Sequence, residues 1–374
     1  MKYFLIAGEA SGDLHASNLM KELIRHDPCA EFRFMGGDLM KQISPGLIMH
    51  YKETSYMMLD VLFHLGKIFR NLRKIKVELV NWEPDVVIPV DYPGFNMRIT
   101  KFASSAGFRV FYFISPKVWA WKQRRVFALR KFAEKLFVIF PFEVEYFKKF
   151  GMEVEYSGNP LVDGVKDFQH SFKGGNSWRH EQGLDSRPVI ALLAGSRKKE
   201  IQSMLPTMTM IAARHLDYQF VVAGAPSIEP EFYRPFLEDG KVKIVYGQTY
   251  SLLASARAAL VTSGTATLEA ALFEVPQVVL YRTSHLAYSI AKQIVKIKYI
   301  SLVNLILNRD LVLEVIQKRL FSQTESELSR ILDDASHREQ ITEGYKDLKL
   351  LIGEDGVSER VANRMVELIK EEKE

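Results

Sequence analysis

Short apolar runs recur along this chain, separated by stretches whose apolar positions fall at helical spacing. In the first half the runs are "YFLIA" (3–7), "FRFM" (32–35), "DVVIPV" (85–90), "RVFYFI" (109–114) and "LFVIF" (136–140). Amphipathic helical patterns lie between them, at about 11–26, 59–80, 95–107, 119–131 and 141–150. Strands that are apolar throughout are buried on both faces, which predicts a parallel sheet covered by helices on each side. A polar interval with three glycines, 166–188, breaks this rhythm and reads as a linker followed by an entry helix. The alternation restarts with "VIALLAG" (189–195), "YQFVVAG" (218–224), "VKIVYG" (242–247), "AALVTSG" (258–264) and "PQVVLY" (276–281). From about residue 309 the tail reads as helical and rich in Glu and Lys. The pattern predicts two doubly wound α/β domains in tandem.

Composition narrows the picture. At 374 residues the chain exceeds one ordinary core, and 47% hydrophobic with 25% charged residues are globular values. A net charge of +5 is too modest, taken alone, to announce a nucleic-acid partner. The single cysteine, Cys29, excludes an internal disulfide and Cys-rich zinc sites, and points to a reducing compartment. The first apolar run ends at Glu9 and Asp13, so it reads as a strand and not as a signal peptide. No stretch approaches the ~20 apolar residues of a spanning helix. A soluble or at most peripheral protein is expected.

Sheets of this kind bind ligands at the carboxyl ends of their strands. The first such loop, "GEASGD" (8–13), puts Gly8 and Gly12 where backbone can approach a ligand at a helix start. Its plainer reading is a turn in which Ser11 or Asp13 caps the helix. It is neither a dinucleotide fingerprint nor a P-loop. In "AGSRKKEI" (194–201), Gly195 and Ser196 end a strand and Arg197 can fork onto phosphate oxygens. In "TSGTATLEAAL" (262–272), Ser263, Gly264 and Thr265 open a helix that carries Glu269 about one turn in. That arrangement suits a nucleoside diphosphate, its phosphates at the helix start and its ribose diol on Glu269. Asp91, at the end of "DVVIPV", is placed for general-base work or, alternatively, for capping the next helix.

Two surfaces carry unusual charge. Residues 114–135 hold seven Lys or Arg against one Glu, interleaved with Trp119, Trp121, Phe127 and Phe132. Such a patch could stack bases, or it could be an amphipathic helix with solvated cations. In 55–79, Val61, Leu65, Ile68, Leu72, Ile75 and Leu79 already make a core stripe. Met57, Met58, Leu62, Phe63 and Phe69 lie off that stripe, beside Lys67, Arg70 and Arg73. This surplus reads as a membrane-surface element or as packing beneath a neighbouring loop.

Taken in order, "GEASGD", "ISPKVWAW" (114–121), "GSRKKE" (195–200), "SGTATLEAAL" (263–272) and "YISLVNL" (299–305) resemble the lipid-A-disaccharide synthase family. The resemblance implies a GT-B glycosyltransferase of two Rossmann-like domains facing a cleft. An acceptor- and lipid-binding domain would span 1–165 and a UDP-sugar-binding domain 166–350, with a C-terminal helix (351–374) packing back on the first. It implies inverting transfer of 2,3-diacylglucosamine from UDP-2,3-diacylglucosamine to the 6-hydroxyl of 2,3-diacylglucosamine 1-phosphate, with no metal required and no nucleic acid bound. The setting would be the cytoplasmic face of the inner membrane of a Gram-negative cell, and a homodimer would be compatible with it. Asp91, in the family's Asp-x-Pro-x-Phe-Asn motif, becomes the general base. Gly8, Glu9, Ser11, Gly12 and Asp13 become contacts to the donor diphosphate and acceptor sugar, with Gly12 leaving room for the sugars. Ser196, Arg197, Tyr246, Ser263, Gly264, Thr265, Glu269, Arg282 and Asn304 become nucleotide contacts. The chain departs from the family at Gly94, where many members carry a second Asp, and at Ala194 and Val303, where Pro is more usual. Two other readings stand beside this one: a different UDP-sugar enzyme of the same fold, such as a peptidoglycan glycosyltransferase or a 2-epimerase, and a nucleic-acid-binding protein using the 117–135 patch.

Overall fold

The alternation of side chains along β1 (Lys2–Ala7) shows why the chain folds into layers. Tyr3, Leu5 and Ala7 enter one buried cluster, whereas Phe4 and Ile6 enter another on the opposite face. The structure, a computed structural model, describes residues 1–53, 65–237, 240–284, 288 and 297–371. It divides into two compact units, Met1–Asp163 with Gly353–Glu374, and Gly164–Ile352.

In the first unit β1 pairs with β2 (Glu31–Gly36) and β4 (Val86–Val90). With β3 (Leu47–His50), β5 (Phe111–Phe113), β6 (Lys135–Val138) and β7 (Glu155–Tyr156) they form a parallel sheet of order β3-β2-β1-β4-β5-β6-β7. Helices α1 (Ala10–His26) and α2 (Asp38–Ile43) lie on one face; α3 (Leu65–Trp82) and α4 (Pro93–Ser105) lie on the other. As its spacing predicts, α3 turns Leu72, Ile75 and Leu79 into the core with Ile68 packed against them. Next come α5 (Arg125–Phe132) and α6 (Pro141–Lys148); α7 (Leu161–Ser171) begins at the end of this unit and lies mostly in the second. The helical pattern expected from 119 begins only at Arg125, because Trp119 is drawn into a buried loop described below.

The second unit has the order β10-β9-β8-β11-β12-β13, again parallel. Its strands are β8 (Val189–Leu193), β9 (Gln219–Gly224), β10 (Val242–Tyr246), β11 (Ala256–Thr262), β12 (Gln277–Tyr281) and β13 (Glu314–Ile316). Its helices are α8 (Gly175–Glu181), α9 (Lys198–Ala212), α10 (Arg234–Leu237), α11 (Thr249–Ser255), α12 (Thr265–Leu272), α13 (Leu302–Leu307), α14 (Leu320–Asp333) and α15 (Ala335–Ile352). The interval read as a linker followed by an entry helix holds helix at 166–171 and 175–181, and the tail read as helical also contains β13. Three-residue edge strands carry no period long enough to recognise.

The last helix, α16 (Val357–Glu371), returns to the first unit and packs on α1 through Val361, Met365 and Ile369. Asp163 caps its start, accepting from the Val357 N–H at 3.1 Å and from the Ser358 N–H and hydroxyl at 3.0 Å each. Among the described residues no helix is long and apolar enough to cross a membrane.

Candidate active site

Both sheets reverse their winding at one place, between β1 and β4 in the first unit and between β8 and β11 in the second. Carboxyl ends of strands at such a switch point leave an open crevice for ligands. The loops singled out in the sequence follow these four strands.

In the first unit, the backbone of Asp91 is held from several directions. It lies in the left-handed region with φ 43°, followed by Tyr92 with φ 47°. Its N–H donates to the Phe113 carbonyl at 3.0 Å. Its own carbonyl accepts from the Tyr112 hydroxyl at 2.6 Å and from Asn96 Nδ2 at 2.8 Å. The same Asn96 nitrogen reaches the carbonyls of Ile6 and Val90, each at 3.1 Å, joining the ends of β1 and β4. These bonds hold a backbone conformation that non-glycine residues seldom adopt. Tyr92, not Asp91, is the N-cap residue of α4, and no side chain caps that helix. Burial pushes the Asp91 carboxyl up to about 6; the Lys117 ammonium pulls against that rise and Glu9 adds to it. Glu9 and the exposed Lys117 are thus the charged side chains that act on the Asp91 carboxyl.

The glycines of the first loop serve the protein's own packing. A Cβ on Gly8 would lie 2.0 Å from the Tyr92 ring, and one on Gly12 would lie 3.3 Å from Ala7 Cβ. Gly12 thus lets α1 approach β1 closely. Asp13 needs correction as a ligand contact. It is 3% exposed; its Oδ1 accepts from the Gly37 and Met40 N–H groups at 2.6 and 3.2 Å, and its Oδ2 from Leu39 at 3.1 Å. It caps α2, a helix distant in sequence. Glu9 and Ser11 remain exposed.

In the second unit, Gly195 has φ 113°, and a Cβ there would meet Glu200 Cβ at 2.7 Å. Glu200 accepts from the Ser196 N–H at 3.0 Å and from the exposed Arg197 at 3.1 Å. Across the switch point, the Ser263 hydroxyl donates to the Ile300 carbonyl at 2.7 Å, while Gly264 and Thr265 open α12. One face of Glu269 is occupied by the Tyr250 hydroxyl, 3.1 Å from Oε1, and burial raises the Glu269 pKa. Arg282 is exposed just past β12. Tyr246 ends the edge strand β10, two strands from β8, with its ring against Tyr233.

Asn304 does not line this region. It is fully buried, donating to the Val312 carbonyl and Glu314 Oε1 at 2.8 and 3.0 Å and accepting from the Leu311 and Val312 N–H groups at 2.9 and 3.0 Å. Every hydrogen-bonding position of its amide is engaged. Glu314 also accepts from the Ile300 and Ser301 N–H groups and the Ser301 hydroxyl, so it shapes the loop whose carbonyl takes Ser263. Sequence reasoning gave no role to Asn96, Tyr112, Tyr250 or Glu314: Asn96 joins its own motif to Ile6 on β1, and the other three act through partners 10 to 21 residues away.

On α3, Phe69 is 59% exposed and Lys67, Arg70 and Arg73 are exposed beside it. Met57, Met58, Leu62 and Phe63 lie outside the described residues. Among the described residues no group of three or more His, Cys, Asp or Glu is placed to hold a metal ion.

The family model described as lipid-A-disaccharide synthetase matches residues 3–366. The chain belongs to the lipid-A-disaccharide synthetase family. The lipid-A-disaccharide synthase of Geobacter metallireducens is 34% identical over 377 residues, covering 98% of this chain and 97% of its own. The enzyme of that name from Myxococcus xanthus is 32% identical over 377 residues, with the same coverage of 98% and 97%. Among solved structures, UDP-GlcNAc 2-epimerase from Neisseria meningitidis bound to UDP-GlcNAc has a TM-score of 0.71 at 13% identity, covering 98% of this chain and 100% of that one. The calicheamicin glycosyltransferase CalG4 has a TM-score of 0.60 at 16% identity, covering 98% and 97%. At such low identities these two likenesses speak for the GT-B fold alone. Family membership, which rests on sequence along the whole chain, favours the synthetase over the epimerase and nucleic-acid readings.

Proposed function

We propose that this chain transfers 2,3-diacylglucosamine from its UDP derivative to the 6-hydroxyl of 2,3-diacylglucosamine 1-phosphate, with inversion and release of UDP. The observation that carries this reading is the family match over residues 3–366. Asp91 is the general base, taking the proton of the acceptor hydroxyl as it attacks the anomeric carbon. Its raised pKa supports this role, since a base near 6 is both ionised at neutral pH and basic enough to accept a proton. Arg197 and the N–H groups opening α12 stabilise charge on the departing diphosphate without a required metal. Glu269, held by Tyr250, accepts from the ribose diol. The test incubates the purified full chain with both acylated sugars in detergent, with and without EDTA, and follows UDP and disaccharide by mass spectrometry. Absence of disaccharide overturns the reaction, and loss of product with EDTA overturns the metal-free assignment.

Two expectations follow for binding. Arg197→Ala and Glu269→Ala each weaken UDP affinity by about tenfold, the worth of one hydrogen bond to a charged group. Calorimetry with UDP measures this without lipid, and wild-type affinity in both variants would mean that the nucleotide binds elsewhere.

The exposed face of α3 serves as a contact to the inner-membrane surface from the cytoplasmic side. Combining Phe69→Ser, Arg70→Ser and Arg73→Ser lowers affinity for anionic vesicles by roughly thirtyfold, counting about 1 kcal/mol for each cation lost. Sedimentation with phosphatidylglycerol vesicles checks this while UDP affinity stays at the wild-type value. Unchanged vesicle binding would remove α3 from the membrane contact.

A further inference from the structure

The loop 114–124 starts beside Asp91, whose N–H donates to the Phe113 carbonyl at 3.0 Å, and it bears the exposed Lys117, whose charge acts on the Asp91 carboxyl. A single buried carboxylate on another element holds the loop's shape. Glu143, in the first turn of α6, is 1% exposed. Its Oε2 accepts from the Ile139 and Phe140 N–H groups at 3.1 and 3.0 Å, as a helix-start glutamate does. Its Oε1 reaches across to the loop, accepting from the Ser115 hydroxyl at 2.5 Å and from Trp119 Nε1 at 3.1 Å. Ser115 and Trp119 flank Lys117 two residues away on either side. The Trp119 ring is met edge-on by Phe140 and Phe142, with centroids 6.2 and 5.1 Å away. Just before them Ile114 lies at φ 61°, a conformation that a β-branched residue adopts only when its surroundings impose it. An ionised carboxylate accepts on both oxygens, so it can take all four donors; an amide in its place confronts at least one of them with N–H.

We propose that Glu143 is a positioning residue for the transfer reaction, fixing the Ser115–Trp119 loop so that the Lys117 ammonium faces Asp91 and sets the pH range in which Asp91 serves as base. This rests on the reading of Asp91 as the base. The charged groups acting on the Asp91 carboxyl are Lys117, which favours its ionised form, and Glu9, which opposes it. The Tyr112 hydroxyl binds its carbonyl, and Arg125 lies near enough to act on that phenol. Around Glu143 the titratable neighbour is Tyr156, on which Arg360 also acts. Burial raises the Glu143 pKa, and its four hydrogen bonds oppose that rise and favour the ionised form.

Loss of the Glu143 carboxylate frees the loop, withdraws Lys117 and leaves Asp91 harder to ionise. The test measures kcat against pH for the full-length protein and for Glu143→Gln, Ser115→Ala, Lys117→Met and Asp91→Asn, with UDP affinity and a thermal melt for each. The acidic limb is expected to move up by about one pH unit in Lys117→Met, and in the same direction in Glu143→Gln and Ser115→Ala, with UDP affinity unchanged. A Glu143→Gln protein whose rate falls equally at every pH, its limb unmoved, overturns the proposal. If Glu143→Gln does not fold, Ser115→Ala is judged by the same criterion, since it removes one bond across the loop and leaves α6 intact. An Asp91→Asn protein with wild-type turnover overturns the base assignment, whatever the Glu143 variant does. A dead Asp91→Asn beside unmoved limbs in the others overturns the positioning role alone.

Discussion

Replacing Asp91 with asparagine lowers turnover by roughly 10²–10⁴-fold and leaves UDP affinity at its wild-type value, because a positioned base contributes about that much to rate. The substitution is nearly isosteric, and the backbone that presents the side chain is held by groups the change does not touch. Asn96 and Tyr112 grip the Asp91 carbonyl, and the Asp91 N–H pairs with Phe113. What disappears is the ability to accept a proton. The same carboxyl predicts the wild-type pH profile. With its pKa pushed up to about 6 by burial, turnover falls as pH drops through that value, since protonated Asp91 cannot act as base. Steady-state rates between pH 5 and 8 for both proteins provide the measurement. Near-normal turnover in Asp91→Asn would exclude this residue as the base.

The largest effect on stability is expected from Asn96→Asp. Asn96 is fully buried, and its amide nitrogen donates to the carbonyls of Ile6, Val90 and Asp91. A carboxylate of the same shape would face three carbonyl oxygens with nothing to donate. Creating an unpaired buried charge costs about 3–5 kcal/mol. A protonated carboxyl still supplies only one donor. The folded-state pKa of the introduced acid must therefore rise above its unfolded value of about 3.9. Folding then favours the protonated form, so the penalty is smallest below that unfolded value and grows as pH rises towards the folded pKa. Urea unfolding at pH 5 and pH 8 checks both statements. A variant within 1 kcal/mol of wild type at pH 8 would show that the junction of β1 and β4 does not depend on this amide.

Periodicity alone determined the architecture of this protein: apolar runs such as "YFLIA" and "VIALLAG" can be buried only between two helical layers, and both lie at the centre of parallel sheets. It also placed the candidate loops, because ligands approach such sheets at strand ends, and Gly8, Asp91, Ser196 and Ser263 all follow the strands at which winding reverses. The local sequence could not show which polar side chains face a ligand and which are held by the fold. Asp13 and Asn304 looked like site residues, yet both are buried against backbone groups that lie elsewhere in the chain. Gly12, read as leaving room for a sugar, is also where α1 packs closely on β1. Glu143 showed no motif, and it holds a loop that begins 28 residues earlier. The reason is common to all four. A hydrogen bond or a close packing contact depends on distance in space, and only the assembled sheet brings these partners within 3 to 4 Å.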